Sequence, residues 1–200
     1  MAIISVSECL SFGWTTFKKR PWLLIAAPFV TGIAAGIGSG VITGILGVVI
    51  KGGMIKLISF VVSLGINTLS TLGILSVYLK AHDDPATASF GDLWHPRSYW
   101  KALGTIILID IILLIGFALL IVPGIILSIA LGFSTLIVID QNLMPVATLK
   151  ESARLTRGHR WDLFVLALAI VGVNLLGLLA LVIGIFVTGP VSIIAMVHAY

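Results

Sequence analysis

The sequence predicts an all-α integral membrane protein of about six transmembrane helices, arranged as three hairpins that each follow an interfacial segment. Three observations predict this class. Of the 200 residues, 59% are hydrophobic and 10% are charged, where a soluble domain carries about 25% charged residues. Mean hydropathy is +1.20. Several uncharged apolar stretches run to about 18 residues or more, each long enough to cross a hydrocarbon core of roughly 30 Å.

The chain reads as a single transmembrane domain, 1–200, in units 1–80, 81–140 and 141–200. In the first unit Ser5 and Glu8 have the spacing of a capping box. After it, Ile3, Val6, Leu10, Trp14 and Phe17 recur at three and four to make one apolar stripe. Such a stripe suits a helix lying in the membrane interface, ended by Lys18, Lys19 and Arg20. Residues 1–17 hold no Lys or Arg, so a basic signal-peptide n-region is missing. The apolar run after Arg20 exceeds h-region length and reads as a retained helix. Pro21 and Trp22 open the first transmembrane segment, 22–50, and a second follows at 57–79.

Within the first segment, TGIAAGIGSGVITGILG (31–47) places Gly32, Gly36, Gly40 and Gly44 at strict intervals of four. In water so much glycine would suggest a linker. In hydrocarbon an irregular backbone leaves its polar groups unsatisfied at several kcal/mol each, so the stretch is helical. The glycines then form a smooth ridge for close helix packing, with the partner in this chain or in another subunit. One helix over 22–50 would be about 43 Å long, so its end tilts, protrudes or bends near Gly38-Ser39-Gly40.

The second unit begins with the aromatic, polar segment 88–101, followed by helices at 102–122 and 125–139 with Pro123-Gly124 as the tight turn between them. In the third, Pro145 to Arg157 reads as a short surface helix, with Pro in its first turn and Gly158 as its stop. Trp161 leads into helices at 162–181 and 184–200. Lys18, Lys19, Arg20, Lys80, Arg97, Lys101, Lys150, Arg154, Arg157 and Arg160 fall on one side of this arrangement, and Lys51 and Lys56 on the other. Ten cations against two place both termini in the cytoplasm. Trp14, Trp22, Trp94, Trp100 and Trp161 cluster at the same interface.

Asp110 is the one ionisable residue deep in a segment, nine residues past Lys101 and therefore roughly 13 Å along the axis. An acid at mid-bilayer costs about 2.5–3.5 kcal/mol on insertion scales, and desolvation favours its neutral form. It is either a proton- or cation-coupled site or the anchor of a structural polar network. Asn67 and Asn174 lie at similar depth, so Asp110, Asn67 and Asn174 form a candidate midplane cluster. The candidate headgroup contacts are Lys18, Lys19, Arg20 and Trp22 in one cluster and Arg154, Arg157, Arg160 and Trp161 in another. Each juxtamembrane cation contributes about 1 kcal/mol toward anionic lipid.

Hydrolase, metalloprotease and nucleotide-loop motifs are missing, and few polar residues remain for chemistry. Catalytic residues, cofactors and metal ligands are expected to be none. His82, His95, His159 and His198 look scattered, and the single Cys9 excludes an intrachain disulfide. The expected partners are anionic headgroups on the cytoplasmic side and other membrane subunits or a second copy, with no nucleic acid.

One stretch carries a family likeness. Val122-Pro123-Gly124-Ile125, Asp140, Ala147, Ser152 and Arg154-Leu155-Thr156-Arg157-Gly158, preceded by Ser89-Phe90-Gly91-Asp92-Leu93, resemble the uncharacterised YciC-like bacterial inner-membrane family. They also resemble the related membrane domain fused to some glycerophosphoryl diester phosphodiesterases. The likeness covers about 80–200. It implies a multi-helix protein of the bacterial cytoplasmic (inner) membrane and transfers no catalytic residue, since the fused proteins' activity belongs to a separate soluble domain. The expected function is a non-enzymatic lipid-interacting scaffold or accessory subunit of a membrane complex. The alternative is a small-solute transporter component with its site around Asp110.

Overall fold

A computed structural model describes residues 5–49, 53–94, 99–179 and 184–200. Every regular element among the described residues is helical. The order is α1 (Val6–Lys19), α2 (Pro21–Val49), α3 (Gly53–Asp83), a short 3-10 helix (Phe90–Trp94), α4 (Tyr99–Leu119), α5 (Ile121–Leu131), α6 (Ser134–Gln141), α7 (Pro145–Leu155), α8 (Arg160–Leu179) and α9 (Ile185–Ala199).

Among the described residues, five helical stretches are long and apolar enough to cross a membrane: Pro21–Leu46, Ile58–Asp83, Tyr99–Leu119, Ile121–Gln141 and Arg160–Leu179. This is the make-up of a multi-pass membrane protein. The sixth predicted span, now α9, has 15 residues and reaches only about 23 Å as a helix, short of the hydrocarbon thickness.

The amphipathic helix α1 packs most extensively on α9. Its buried residues are Cys9, Gly13, Thr16 and Phe17, a row displaced from the predicted stripe, and Trp14 stands exposed with Lys18 Nζ 5.0 Å from its ring. The displacement follows from Gly13, where a Cβ would come 2.5 Å from the Val191 carbonyl oxygen. Only glycine lets the two backbones approach so closely. The predicted capping box does not form: Ser5 Oγ lies 3.0 Å from Ser7 Oγ and makes no cap bond to the helix.

Helix α2 is continuous over 29 residues despite Pro28. Proline has no N–H, so the carbonyl four residues earlier, at Leu24, loses its helical donor. The buried Tyr78 hydroxyl of α3 donates to that oxygen at 2.7 Å. Leu24, Ala27, Val77, Tyr78, Ala81 and Ile194 form the centre of the main core around this bond.

The turn between the second pair of helices lies at Leu120, not at Pro123-Gly124. Pro123 falls in the first turn of α5, where its missing N–H would have had no helical acceptor. Gly124 serves packing instead, since a Cβ on Gly116 of α4 would stand 3.3 Å from its Cα. The following segment breaks at Gly132-Phe133, between α5 and α6. There the buried Ser152 hydroxyl donates to the Ala130 carbonyl at 2.9 Å and Thr156 adds a longer bond at 3.4 Å. Helix α7 therefore supplies donors at an interruption of the helical ladder, which an apolar surrounding requires. The start of α7 matches expectation, with Pro145 at the first position, but the helix ends at Leu155, two residues before Arg157, and Gly158 stands in the turn beyond at φ +96°.

Candidate functional site

Hydrogen bonds gather one end of the bundle. Arg20 donates to the carbonyls of Ala88 (3.2 Å) and Ala86 (2.7 Å). Lys80 Nζ meets Asp92 Oδ1 at 2.8 Å, and Lys101 Nζ donates to the Asn142 carbonyl at 2.8 Å. Tyr200 accepts from Gln141 and donates to Asp140. Three of them, Arg20, Lys80 and Lys101, are among the cations assigned from charge alone to one membrane face.

The candidate headgroup residues divide into two places. Lys18, Lys19, Arg20 and Trp22 surround the α1–α2 junction, and Trp22 is 84% exposed. Arg154, Arg157, Arg160 and Trp161 surround the α7–α8 turn, where they line one cleft together with Lys150. Lys150 was not singled out from sequence, although its spacing of four from Arg154 puts both on one helical face. Arg154 donates to Glu151 through Nε (2.9 Å) and Nη2. That hydrogen bond holds the Glu151 carboxyl below its ordinary value, and Glu151 holds Arg154 above its own.

The predicted midplane cluster does not assemble. Asn174 Nδ2 donates to the Ile170 carbonyl and to Ser192 Oγ, and its Oδ1 accepts from Thr188 Oγ1, each at 2.9 Å. These partners are on its own helix and on α9. Asn67 Nδ2 turns back to the Ser63 carbonyl one turn earlier, at 2.8 Å. Asp110 is exposed on α4 and has no hydrogen bond to a described residue. Equal depth did not bring the three together: Asn174 bonds within α8 and to α9, Asn67 bonds its own helix, and Asp110 is exposed.

The glycine ridge is open. A Cβ built on Gly32, Gly36, Gly40 or Gly44 meets nothing within 4 Å. Gly32 and Gly36 line a groove whose other wall includes Asn67, Ser70 and Thr71 of α3. Packing of the ridge against another helix of this chain, one of its two expected outcomes, is therefore not what the described residues show.

Two of the four histidines meet. His82 Nε2 is 3.2 Å from His198 Nδ1, and Phe12 stacks on His198 with ring centroids 4.1 Å apart. His159 Nδ1 is 3.4 Å from Asp162 Oδ2, and His95 lies outside the described residues. Among the described residues no three His, Cys, Asp or Glu side chains group as metal ligands.

No known protein family, curated protein or solved structure matches the chain.

Proposed function

We propose that this is a non-enzymatic, lipid-interacting scaffold or accessory subunit of a complex in the bacterial cytoplasmic membrane, with both termini in the cytoplasm. The observation that carries it is the uncovered row Gly32, Gly36, Gly40 and Gly44, beside which a helix has open space. Glycine lowers helix propensity by about 1 kcal/mol relative to Ala, so four in one row weaken α2 with no packing return inside the described chain. Close approach of a helix from another subunit supplies that return through van der Waals contact. Asp110, exposed on a membrane span, supports the same proposal, since ionisable groups in membranes ordinarily face protein or water rather than lipid. The separate bonding of Asn67 and Asn174 favours this function over a transporter with a midplane site.

The ridge is tested by Gly36→Leu/Gly40→Leu. A Cβ at either position meets nothing within 4 Å among the described residues, so the isolated protein should keep its thermal stability. Crosslinked or copurified species from native membranes are lost. A wild-type protein that remains monomeric, and copurifies with neither a subunit nor lipid, would overturn the proposal.

A further inference from the structure

We infer that the cleft between α7 and α8 is a binding site for a doubly charged, phosphate-bearing lipid headgroup. The inference rests on the lipid-interacting part of the proposed function and is independent of the glycine ridge. The cleft measures about 660 Å³, and its lining includes Lys150, Arg154, Arg157, Arg160, Gly158 and Trp161 but no carboxylate.

The turn brings these groups together. Helix α7 ends at Leu155, and the Arg157 N–H bonds the Arg154 carbonyl while the His159 N–H bonds that of Thr156. Gly158, at φ +96°, reverses the chain there. Cations from the last turns of α7 and the first turn of α8 consequently border one space. The C-terminal half of α7 is tied to α5 by the Ser152 and Thr156 hydroxyls, which donate to the Ala130 carbonyl.

Charge selects the ligand. Arg154 is matched by Glu151, and Asp162 lies against His159 outside the lining. Lys150, Arg157 and Arg160 have no carboxylate partner among the described residues, which leaves three uncompensated positive charges. The first-turn amides of Arg160 and Trp161 have no backbone acceptor, and α8 adds its positive end. Guanidinium forks match phosphate oxygens in pairs. A dianion uses this field more fully than a monoanion does.

Position favours a lipid over a soluble anion. The apolar span Arg160–Leu179 begins at the cleft itself, and Trp161 at its lip is 73% exposed. An exposed Trp at the start of a span marks the headgroup level of a bilayer.

The test is native mass spectrometry of the detergent-solubilised protein titrated with phosphatidic acid, phosphatidylglycerol, phosphatidylcholine and inorganic phosphate. Phosphatidic acid should bind about fivefold more tightly than phosphatidylglycerol, the effect of one further charge at the surface. Phosphatidylcholine and inorganic phosphate should be far weaker. Arg157→Gln/Arg160→Gln should weaken phosphatidic acid about 25-fold, roughly fivefold per cation. Arg157→Lys/Arg160→Lys should retain most of the binding, and Lys56→Gln, an exposed cation outside both headgroup clusters, should retain all of it. Equal affinity for the two acidic lipids, or no loss in a folded Gln variant, overturns the site. Displacement by inorganic phosphate at equal concentration overturns the lipid assignment. Binding to none of the lipids overturns both the site and the lipid-interacting part of the proposed function.

Discussion

The hydroxyl of Tyr78 donates to the Leu24 carbonyl at 2.7 Å, replacing the helical donor that Pro28 lacks. An orphaned buried carbonyl costs about 1–3 kcal/mol. Tyr78→Phe should lower unfolding stability in detergent by that amount. Pro28→Ala restores an N–H to Leu24, so Tyr78→Phe combined with Pro28→Ala should lose much less than Tyr78→Phe alone. If the double variant is as damaged as the sum of the two single changes, the two residues do not serve the same carbonyl.

The break between α5 and α6 gives a paired expectation. Ser152→Ala/Thr156→Ala removes both side-chain donors from the Ala130 carbonyl and should destabilise by about 1–3 kcal/mol. Ser134, one turn away, has a buried hydroxyl with no partner among the described residues. Its replacement by Ala should be neutral or stabilising, because an unsatisfied buried polar group is removed. Thermal unfolding of the three proteins side by side distinguishes these opposite signs.

Asn174 and Asp110 should behave independently. Interhelical hydrogen bonds in membranes contribute about 0.6–2 kcal/mol each. Asn174→Ala should therefore destabilise measurably and couple to Ser192→Ala, whose hydroxyl it bonds at 2.9 Å. A double-mutant cycle of Asn174→Ala with Asp110→Ala should give a coupling energy near zero. Substantial coupling there would restore a shared midplane cluster.

The segment Ser89–Trp94 should respond to acid. Partial burial alone would push the Asp92 carboxyl up, but hydrogen bonds from Lys80 and Ser89 outweigh it and hold the group below 3.8. A lowered folded-state value means the contribution is present above the unfolded value and is lost as pH falls through the folded one. Unfolding stability should therefore drop as pH falls from about 5 to below 3.8. The drop should be smaller in Asp92→Asn, and an identical pH profile in that variant would mean the carboxylate does not hold the segment.

Elements with strong local signals were legible in the sequence. Gly158 and Pro145 mark the ends of α7 by backbone chemistry, and the long apolar runs of α2, α3, α4 and α8 announce themselves by composition. Pro123-Gly124 misled because its residues suit both a turn and the start of a helix, and only the close approach of Gly116 decides between them. The partner of Pro28 was half legible: proline frees the Leu24 carbonyl, but nothing local shows that Tyr78, 54 positions later, fills it. The same limit applies to the site. Sequence grouped Arg154, Arg157, Arg160 and Trp161, whereas the addition of Lys150 and the cleft itself required the reversal of the chain at Gly158. The fourfold glycine spacing was plain, but its open environment depends on where every other helix goes.

The pairing of α1 with α9 has a consequence for biogenesis. Gly13 and Cys9 meet Val191 and Ala195, near the other end of the described chain. A ribosome adding about 5–20 residues per second delivers α9 roughly 10–35 seconds after α1. During that interval α1 lacks the helix it packs on most extensively. An amphipathic helix with Lys18, Lys19 and Arg20 at its end can rest on the membrane surface through that delay. Closure of the bundle is then the last folding event, and a nascent chain truncated before Val191 should leave α1 accessible to surface-directed proteolysis.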